Sequence, residues 1–161
     1  MLATHLTSDL PIAGAALGAY GFALWAAHEL GDQFAQTHHQ ALEKGRRDAA
    51  GVLACLKHVL SYTAITAAFC ALLWAFLPGL EITPAGFAAG QLLSAVTHYW
   101  ADRRYTLAGL ARRLGKEAYY ELGKPRAGHD DNPTLGTGAF HLDQAWHKVW
   151  LFFAALAMTV I

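Results

Sequence analysis

The stretch that decides the fold is residues 58–80, HVLSYTAITAAFCALLWAFLPGL, where 23 residues pass without an Asp, Glu, Lys or Arg. A helix rises about 1.5 Å per residue, so about 20 apolar residues cross the roughly 30 Å core of a bilayer. Working outward, residues 10–28 give 19 uncharged residues, residues 82–101 give 20, and the final 13 residues, 149–161, are also uncharged. We therefore predict an all-α, integral-membrane four-helix bundle, a single domain over 1–161, with helices at about 10–37, 52–77, 84–105 and 141–161.

The overall composition points the same way. Hydrophobic residues make up 55% of the chain and charged residues 15%, whereas soluble domains carry about 25% charged residues. The 12 basic and 12 acidic residues give a formal net charge of zero. That balance excludes a disordered charged tail and argues against nucleic acid as a partner, because both require an excess of charge. A soluble bundle with unusually apolar helices is the alternative to a membrane protein.

The basic residues are distributed unevenly among the connections. Three lie at residues 44–47 and seven in the connection 103–140, but none lies in 77–83 or in the first nine residues. Loops rich in Lys and Arg stay in the cytoplasm. We predict a multi-pass protein of the bacterial inner (cytoplasmic) membrane, with both termini outside and a cytoplasmic basic loop at 106–140.

Histidine and aspartate recur four residues apart on the predicted helices. Residues at that spacing lie on one face of a helix, one turn apart. With the predicted orientations, every pair lies at the cytoplasmic end of its helix, where an ionisable side chain is costly without a partner. The seven groups are His28, Asp32, His58, His98, Asp102, Asp143 and His147.

Imidazole and carboxylate groups at one level are suited to bind a divalent metal. Zinc is the preferred ion, and manganese or iron is also compatible. One zinc ion uses three or four protein ligands, so seven groups allow a dinuclear site. The alternatives are carboxylates that only orient histidine rings and pairs that only join helices by hydrogen bonds. The predicted metal ligands are His28, Asp32, His98, Asp102, Asp143 and His147, with His58 as a seventh ligand or an acid–base group.

Residues 28–32 read HELGD, one letter from the HExxH pattern in which the glutamate is the general base of a zinc protease. The pattern makes Glu29 a candidate catalytic base beside the metal, together with His58. No GxxxxGK[ST] loop and no GxSxG turn occurs. Nucleotide-driven work and serine hydrolase chemistry are therefore not expected.

The basic loop contains its own periodic segment. Over 105–122, leucine or alanine recurs at positions 107, 110, 114 and 118, which predicts a short amphipathic helix at the membrane interface. Residues 123–139, rich in Gly, Pro, Asn and Asp, predict an irregular loop. The arginines near this helix either hold anionic lipid headgroups or bind a phosphate-bearing substrate. The candidate substrate-binding residues are Arg103, Arg104, Arg112 and Arg113.

Four motifs in this order resemble a known family. They are HxxxDxxxQ at His28, Asp32 and Gln36, the single His58, HxxxD at His98 and Asp102, and DQxxH at Asp143, Gln144 and His147. Over about residues 20–155 the chain resembles small four-helix membrane proteins of a domain-of-unknown-function family of bacteria, phages and mobile elements. It is similar to YdjM-type inner-membrane proteins, to which metal-dependent hydrolysis is attributed. The resemblance implies a membrane metal site, although the connection 105–140 is longer than that group would have.

These features together predict a metal-dependent hydrolase at the cytoplasmic leaflet, acting on a lipid or lipid-linked phosphoester. Membrane lipids are the expected partners, and self-association into a homo-oligomer is compatible with the sequence. Two other functions remain open: a non-enzymatic membrane protein with a structural metal, and an ion or proton conductor that uses His and Asp as relays.

Overall fold

The computed structural model describes residues 2–125, 127–128 and 136–161, with side chains from residue 13 onward. Every regular element in that part of the chain is helical, which confirms the all-α prediction. Arg126 and residues 129–135, in the predicted irregular loop, lie outside the described residues. The helices are α1 (Leu2–Leu30), α2 (His38–Glu43), α3 (Ala49–Phe76), α4 (Pro84–Asp102), α5 (Tyr105–Arg113), α6 (Glu117–Tyr120) and α7 (Gly138–Val160), and a π-helical turn, Gly31–Ala35, continues α1.

The four long helices form a closed ring. Helix α1 packs against α3 and α7, and α4 packs against the same two helices, so that α1 and α4 lie diagonally across the bundle. Helix α7 runs antiparallel to α4, with Met158 beside Gly86 and Trp146 beside Thr97, and the short connection between α3 and α4 also places those two helices antiparallel. The ends that carry the histidine and aspartate pairs therefore meet at one end of the ring.

Side-chain caps fix where three of these helices begin. Asp48, Thr83 and Thr137 each accept a hydrogen bond from the backbone N–H three residues further on. Such caps satisfy N–H groups that the first helical turn leaves without a partner. Pro84, directly after its cap, occupies the first helical position, where its missing N–H costs nothing.

Helices α4 and α7 approach closely because α4 presents two glycines, four residues apart. A Cβ on Gly86 would lie 2.6 Å from the carbonyl oxygen of Met158, and one on Gly90 would lie 2.7 Å from that of Ala154. Small residues at this spacing let two helix backbones come together. This contact sets the separation of the two helices that carry the HxxxD and DxxxH pairs.

The bundle is polar inside at one end and apolar over much of its outer surface. The leucines Leu60 and Leu92 are 69% and 66% exposed, whereas Thr66 and three of the site histidines are fully or almost fully buried. Among the helices with described side chains, α3 alone is long and apolar enough by itself to cross a membrane, and only 22% of its most apolar window is buried. A soluble core helix would be mostly buried, so the outward face of α3 is not explained by packing within this chain.

The amphipathic segment predicted over 105–122 is divided into two short helices, α5 and α6. Gly115 adopts φ 69° between them. The N–H groups of Gly115 and Lys116 donate to the carbonyl oxygens of Arg112 and Ala111, the hydrogen-bond pattern that ends a helix with a left-handed glycine. The apolar face therefore stops early: Leu107 is buried on α5, whereas Leu114 is exposed.

Candidate metal centre

The end of α1 brings two site residues into the bundle. His28 lies in the last turn of α1, and Asp32 lies in the π-helical turn that follows, with 3.2 Å between His28 Nε2 and Asp32 Oδ2. The backbone N–H of Gln36 closes this turn by donating to the carbonyl oxygen of Gly31 at 3.0 Å. π-Helical turns occur frequently at functional sites.

Four side-chain atoms from three segments converge beside this turn. The Nε2 atoms of His58 and His98 lie 3.0 Å apart. Asp32 Oδ1 lies 3.4 Å from each of them, and Asp102 Oδ2 lies 3.2 Å from His58 Nε2 and 3.3 Å from His98 Nε2. Tetrahedral ligands at about 2.0–2.1 Å from zinc are separated by about 3.3–3.4 Å. We call this set the inner group: the four imidazole–carboxylate separations, 3.2–3.4 Å, lie close to this value, and the two imidazole nitrogens, 3.0 Å apart, are slightly closer together.

A second set of ligand atoms lies next to the inner group, and we call it the outer group. It consists of Asp102, Asp143 and His147, with 3.6 Å between His147 Nε2 and Asp143 Oδ1. The two groups share Asp102, whose Oδ1 lies 3.9 Å from His147 Nε2, and Asp32 turns its Oδ2 to His28 beside them. Ligand atoms lie within 4.8 Å of one another in each of three sets: His28, Asp32, His98 and His147; His58, His98 and Asp102; and Asp102, Asp143 and His147.

Several buried polar atoms of the cluster have no hydrogen-bond partner within the described residues. A buried donor or acceptor left in this state costs about 1–3 kcal/mol. A divalent cation would satisfy acceptor atoms on imidazole and carboxylate together, so the buried cluster could hold a metal ion. The atoms include His28 Nε2, Asp32 Oδ1, Asp102 Oδ2 and His147 Nε2.

The structure brings all six predicted ligands into this cluster. His58, the predicted seventh ligand or acid–base group, is fully buried in the inner group. Glu29 is placed elsewhere: it is half-buried on α1, belongs to neither group and does not line the cavity beside them. Neighbouring residues of a helix point about 100° apart, so His28 and Glu29 cannot both face the bundle axis.

Lys44 is a member of the site that the sequence reasoning missed. Its side chain is 8% exposed, and Nζ donates to Asp102 Oδ1 at 2.8 Å. In the sequence Lys44 belongs to a basic connection, where nothing distinguishes it from Arg46 and Arg47. The contact joins residues 58 positions apart and arises only when the connection folds over the end of α4.

A cavity of about 620 Å³ adjoins the cluster. Three cluster carboxylates form part of its wall, basic side chains form another part, and apolar side chains complete it. Such a lining is suited to a ligand with an anionic group and an apolar portion. The lining includes Asp32, Asp102 and Asp143, the basic Lys44, Arg104 and Lys124, and the apolar Leu107, Leu122 and Phe140.

Two further side chains of the cavity wall, Tyr120 and Lys124, have raised pKa values. Burial raises the pKa of the Tyr120 hydroxyl, and the nearby Asp143 carboxylate raises it further. The hydrogen bond from Lys124 Nζ to Glu121, 2.6 Å long, raises the pKa of Lys124. Near neutral pH the cavity therefore presents a protonated phenol and a charged ammonium.

The four predicted substrate arginines occupy three different environments. Arg104 lines the cavity, and its guanidinium donates to the carbonyl oxygen of Ala41 at 2.7 Å. Arg103 is buried and donates to the carbonyl oxygen of Arg46, so it holds the first basic connection in place. Arg112 and Arg113 are exposed on α5 and lie outside the cavity lining. Of the four, only Arg104 reaches the cavity.

A row of polar contacts joins α3 to α4 above the cluster. Tyr62 Oη lies 2.7 Å from Ser94 Oγ, and Thr66 Oγ1 donates to Gln91 Oε1 at 2.8 Å. The row ends where Gln91 meets the thiol of Cys70, at 3.8 Å. Cys70 already belongs to the apolar core at the other end of the bundle. These contacts join the helices, and within the described residues they do not extend through the apolar half.

No protein-family model, no curated protein and no solved structure matches this chain. The family resemblance drawn from the motifs stays a prediction. The functional proposal is therefore based on the cluster and its cavity.

Proposed function

We propose that this protein is a membrane-embedded, metal-dependent hydrolase, with its site at the cytoplasmic end of the bundle and a lipid or lipid-linked phosphoester as substrate. The observation that carries the proposal is that Asp32, Asp102 and Asp143 belong both to the metal-ligand cluster and to the cavity wall. A bound zinc ion would lower the pKa of coordinated water toward 7 and polarise a phosphoester oxygen.

Zinc is the ion favoured by the ligand geometry. Imidazoles and carboxylates with ligand atoms about 3.2–3.4 Å apart suit zinc, whereas manganese prefers an octahedral set of oxygens. Manganese or iron is the second choice. The three ligands of the outer group leave room for a second ion, so the site can be dinuclear.

The surface of the bundle supports a membrane location. Large apolar side chains cover the outer faces of α3 and α4, with Leu60 and Leu92 as examples. At the level of the metal cluster, the rings of Trp100 and Trp146 stack with centroids 4.4 Å apart, and Trp74, toward the far end of α3, is exposed. Tryptophan is enriched at both interfaces of a bilayer. The basic connections lie at the cluster end, which is the cytoplasmic end by the positive-inside rule.

The cavity residues have distinct roles in this proposal. Arg104 and Lys124 bind the anionic group of the substrate, and Leu107 and Phe140 pack against its apolar portion. The protonated hydroxyl of Tyr120 donates a hydrogen bond to a substrate oxygen. Because the cluster lies beside this wall, a phosphoester held here has its phosphorus next to the carboxylates that bind the metal.

The test is hydrolysis by the purified full-length protein in detergent micelles. The substrates are bis-p-nitrophenyl phosphate and mixed micelles of anionic lipid phosphoesters. We expect hydrolysis that is lost on chelation, restored by zinc and abolished by Asp102→Asn. His141→Ala, which changes an exposed histidine on α7, should leave the rate unchanged. Hydrolysis that survives both chelation and Asp102→Asn would refute the proposal.

A structural metal in a non-enzymatic membrane protein is the second candidate. It is favoured by the burial of His58, His98 and Asp102 in the inner group, because structural zinc sites are enclosed by protein ligands. In that case zinc would raise the thermal stability of the wild-type protein, with no hydrolysis of any substrate in the set.

A further inference from the structure

We infer that Lys44 competes with a second divalent cation that binds at the outer group, and that an anion in the cavity favours this second cation by drawing Lys44 away. The inference rests on the proposed function, because it assigns a regulation to the same site. It is carried by the positions of the carboxylate oxygens and of the Lys44 ammonium.

The two oxygens of each of Asp32 and Asp102 face different histidines. The inner group uses only one oxygen of Asp32 and one of Asp102. The second oxygen of Asp32 lies 3.2 Å from His28 Nε2, and the second oxygen of Asp102 faces His147 Nε2 at 3.9 Å. Asp102, which belongs to a ligand set on each side, can therefore bridge an inner and an outer ion.

The two groups differ in their access to the cavity. The histidines of the inner group are buried. The outer group includes Asp143, whose side chain is 28% exposed and lines the cavity. An outer ion is therefore the better placed of the two to keep a coordination position open to a water molecule or a substrate oxygen, as a catalytic ion requires.

Lys44 lies where the inner and outer groups meet. Its ammonium already occupies Asp102 Oδ1 at 2.8 Å, which is the oxygen that would bridge to the outer ion. A positive charge a few ångströms from a divalent cation repels it strongly in a partly buried site. Lys44 and the outer ion therefore compete for Asp102 Oδ1, and each weakens the binding of the other.

The cavity links this competition to the substrate. Lys44 lines the cavity, so its ammonium can leave Asp102 and pair with an anionic group bound there. An anion then stabilises the arrangement in which Asp102 Oδ1 is free for the outer ion. By reciprocity of linked equilibria, the outer ion must raise the affinity for the anion by the same factor.

The test is zinc binding to the full-length protein in detergent, measured by competition with a chromophoric chelator. We expect a tight and a weak class of site in the wild-type protein. Lys44→Met should tighten the weak class at least about tenfold, since it removes the repelling charge, and should tighten the tight class by less. Lys57→Met, at an exposed lysine of α3, is the matched control and should change neither class.

The second experiment repeats the zinc-binding measurement in the presence of inorganic phosphate. At millimolar concentration it should tighten the weak class in the wild-type protein and have no such effect in Lys44→Met. His147→Ala should lose the weak class and keep the tight one, which also shows that the fold survives. If Lys44→Met does not fold, Lys44→Gln makes the same comparison.

The inference is overturned if the wild-type protein binds a single ion, or if removing the Lys44 charge leaves the weak class unchanged. Either result is compatible with hydrolysis by one ion, so the proposed function would survive it. Conversely, two classes with the predicted Lys44 effect but no hydrolysis would refute the proposed function and leave the competition intact.

Discussion

Replacing His58 with alanine removes one ligand from the centre of the inner group, and we expect the tight zinc affinity to fall by two to three orders of magnitude. His58 Nε2 lies 3.4 Å from Asp32 Oδ1 and 3.2 Å from Asp102 Oδ2, so its loss leaves two carboxylates facing a void. The binding free energy of structural zinc sites is about 10–16 kcal/mol, so one ligand of four contributes roughly 2.5–4 kcal/mol. At about 1.4 kcal/mol per tenfold, this predicts a loss of about 10²- to 10³-fold.

The assay is elemental analysis of the purified variant after dialysis against a chelator of known zinc affinity, combined with thermal unfolding with and without zinc. The wild-type protein should retain zinc and unfold at a higher temperature when zinc is present, because an ion that binds only the folded state stabilises it. His58→Ala should lose both effects. His141→Ala, at an exposed histidine six residues before His147 on α7, should behave as the wild type. Equal zinc retention in His58→Ala and His141→Ala would refute the inner group as a metal site.

Two further predictions concern the bundle and the cavity. Gly90→Ala should destabilise the protein, because a Cβ there would lie 2.7 Å from a backbone oxygen of α7, and the cost of overpacking, about 1–3 kcal/mol, exceeds the gain of about 1 kcal/mol from alanine in a helix. Gly18→Ala is the control and should be neutral or stabilising, because a Cβ there would have nothing within 4 Å. Chemical unfolding of both variants in detergent gives the comparison. Arg104→Ala should raise KM for an anionic phosphoester about tenfold, the loss of one charge-assisted contact of about 1.4 kcal/mol, whereas the exposed Arg112→Ala should leave KM unchanged. A KM that is equally unaffected in both arginine variants would remove Arg104 from the substrate site.

The helices and their polar faces could be predicted from the sequence because both follow from local rules. Uncharged runs mark the helices: the bounds of α3 and α4, Ala49–Phe76 and Pro84–Asp102, lie within three residues of the predicted 52–77 and 84–105, whereas α1 begins at Leu2 and not near residue 10. The i,i+4 spacing of His98 and Asp102 places two ligands on one face of a helix whatever the rest of the chain does.

Several parts of the site could not be predicted because they depend on contacts between distant segments. The π-helical turn around Asp32 has no local sequence rule. The separation of α4 from α7 depends on Gly90 meeting α7, and the break of the amphipathic segment depends on a single left-handed residue, Gly115. Nothing in the sequence distinguishes Arg104 from the other three candidate arginines, although it alone of the four lines the cavity.

The amino-acid sequence by itself determined the helical class, the outward apolar faces and the set of side chains able to bind a metal, because periodicity and charge distribution act within one helix at a time. Only the tertiary structure decided which oxygen of each carboxylate faces which histidine, and that Lys44 joins the cluster. The physical reason is that a metal site requires each ligand atom to be positioned to within a few tenths of an ångström, and that placement is set by how the four helices and their connections pack.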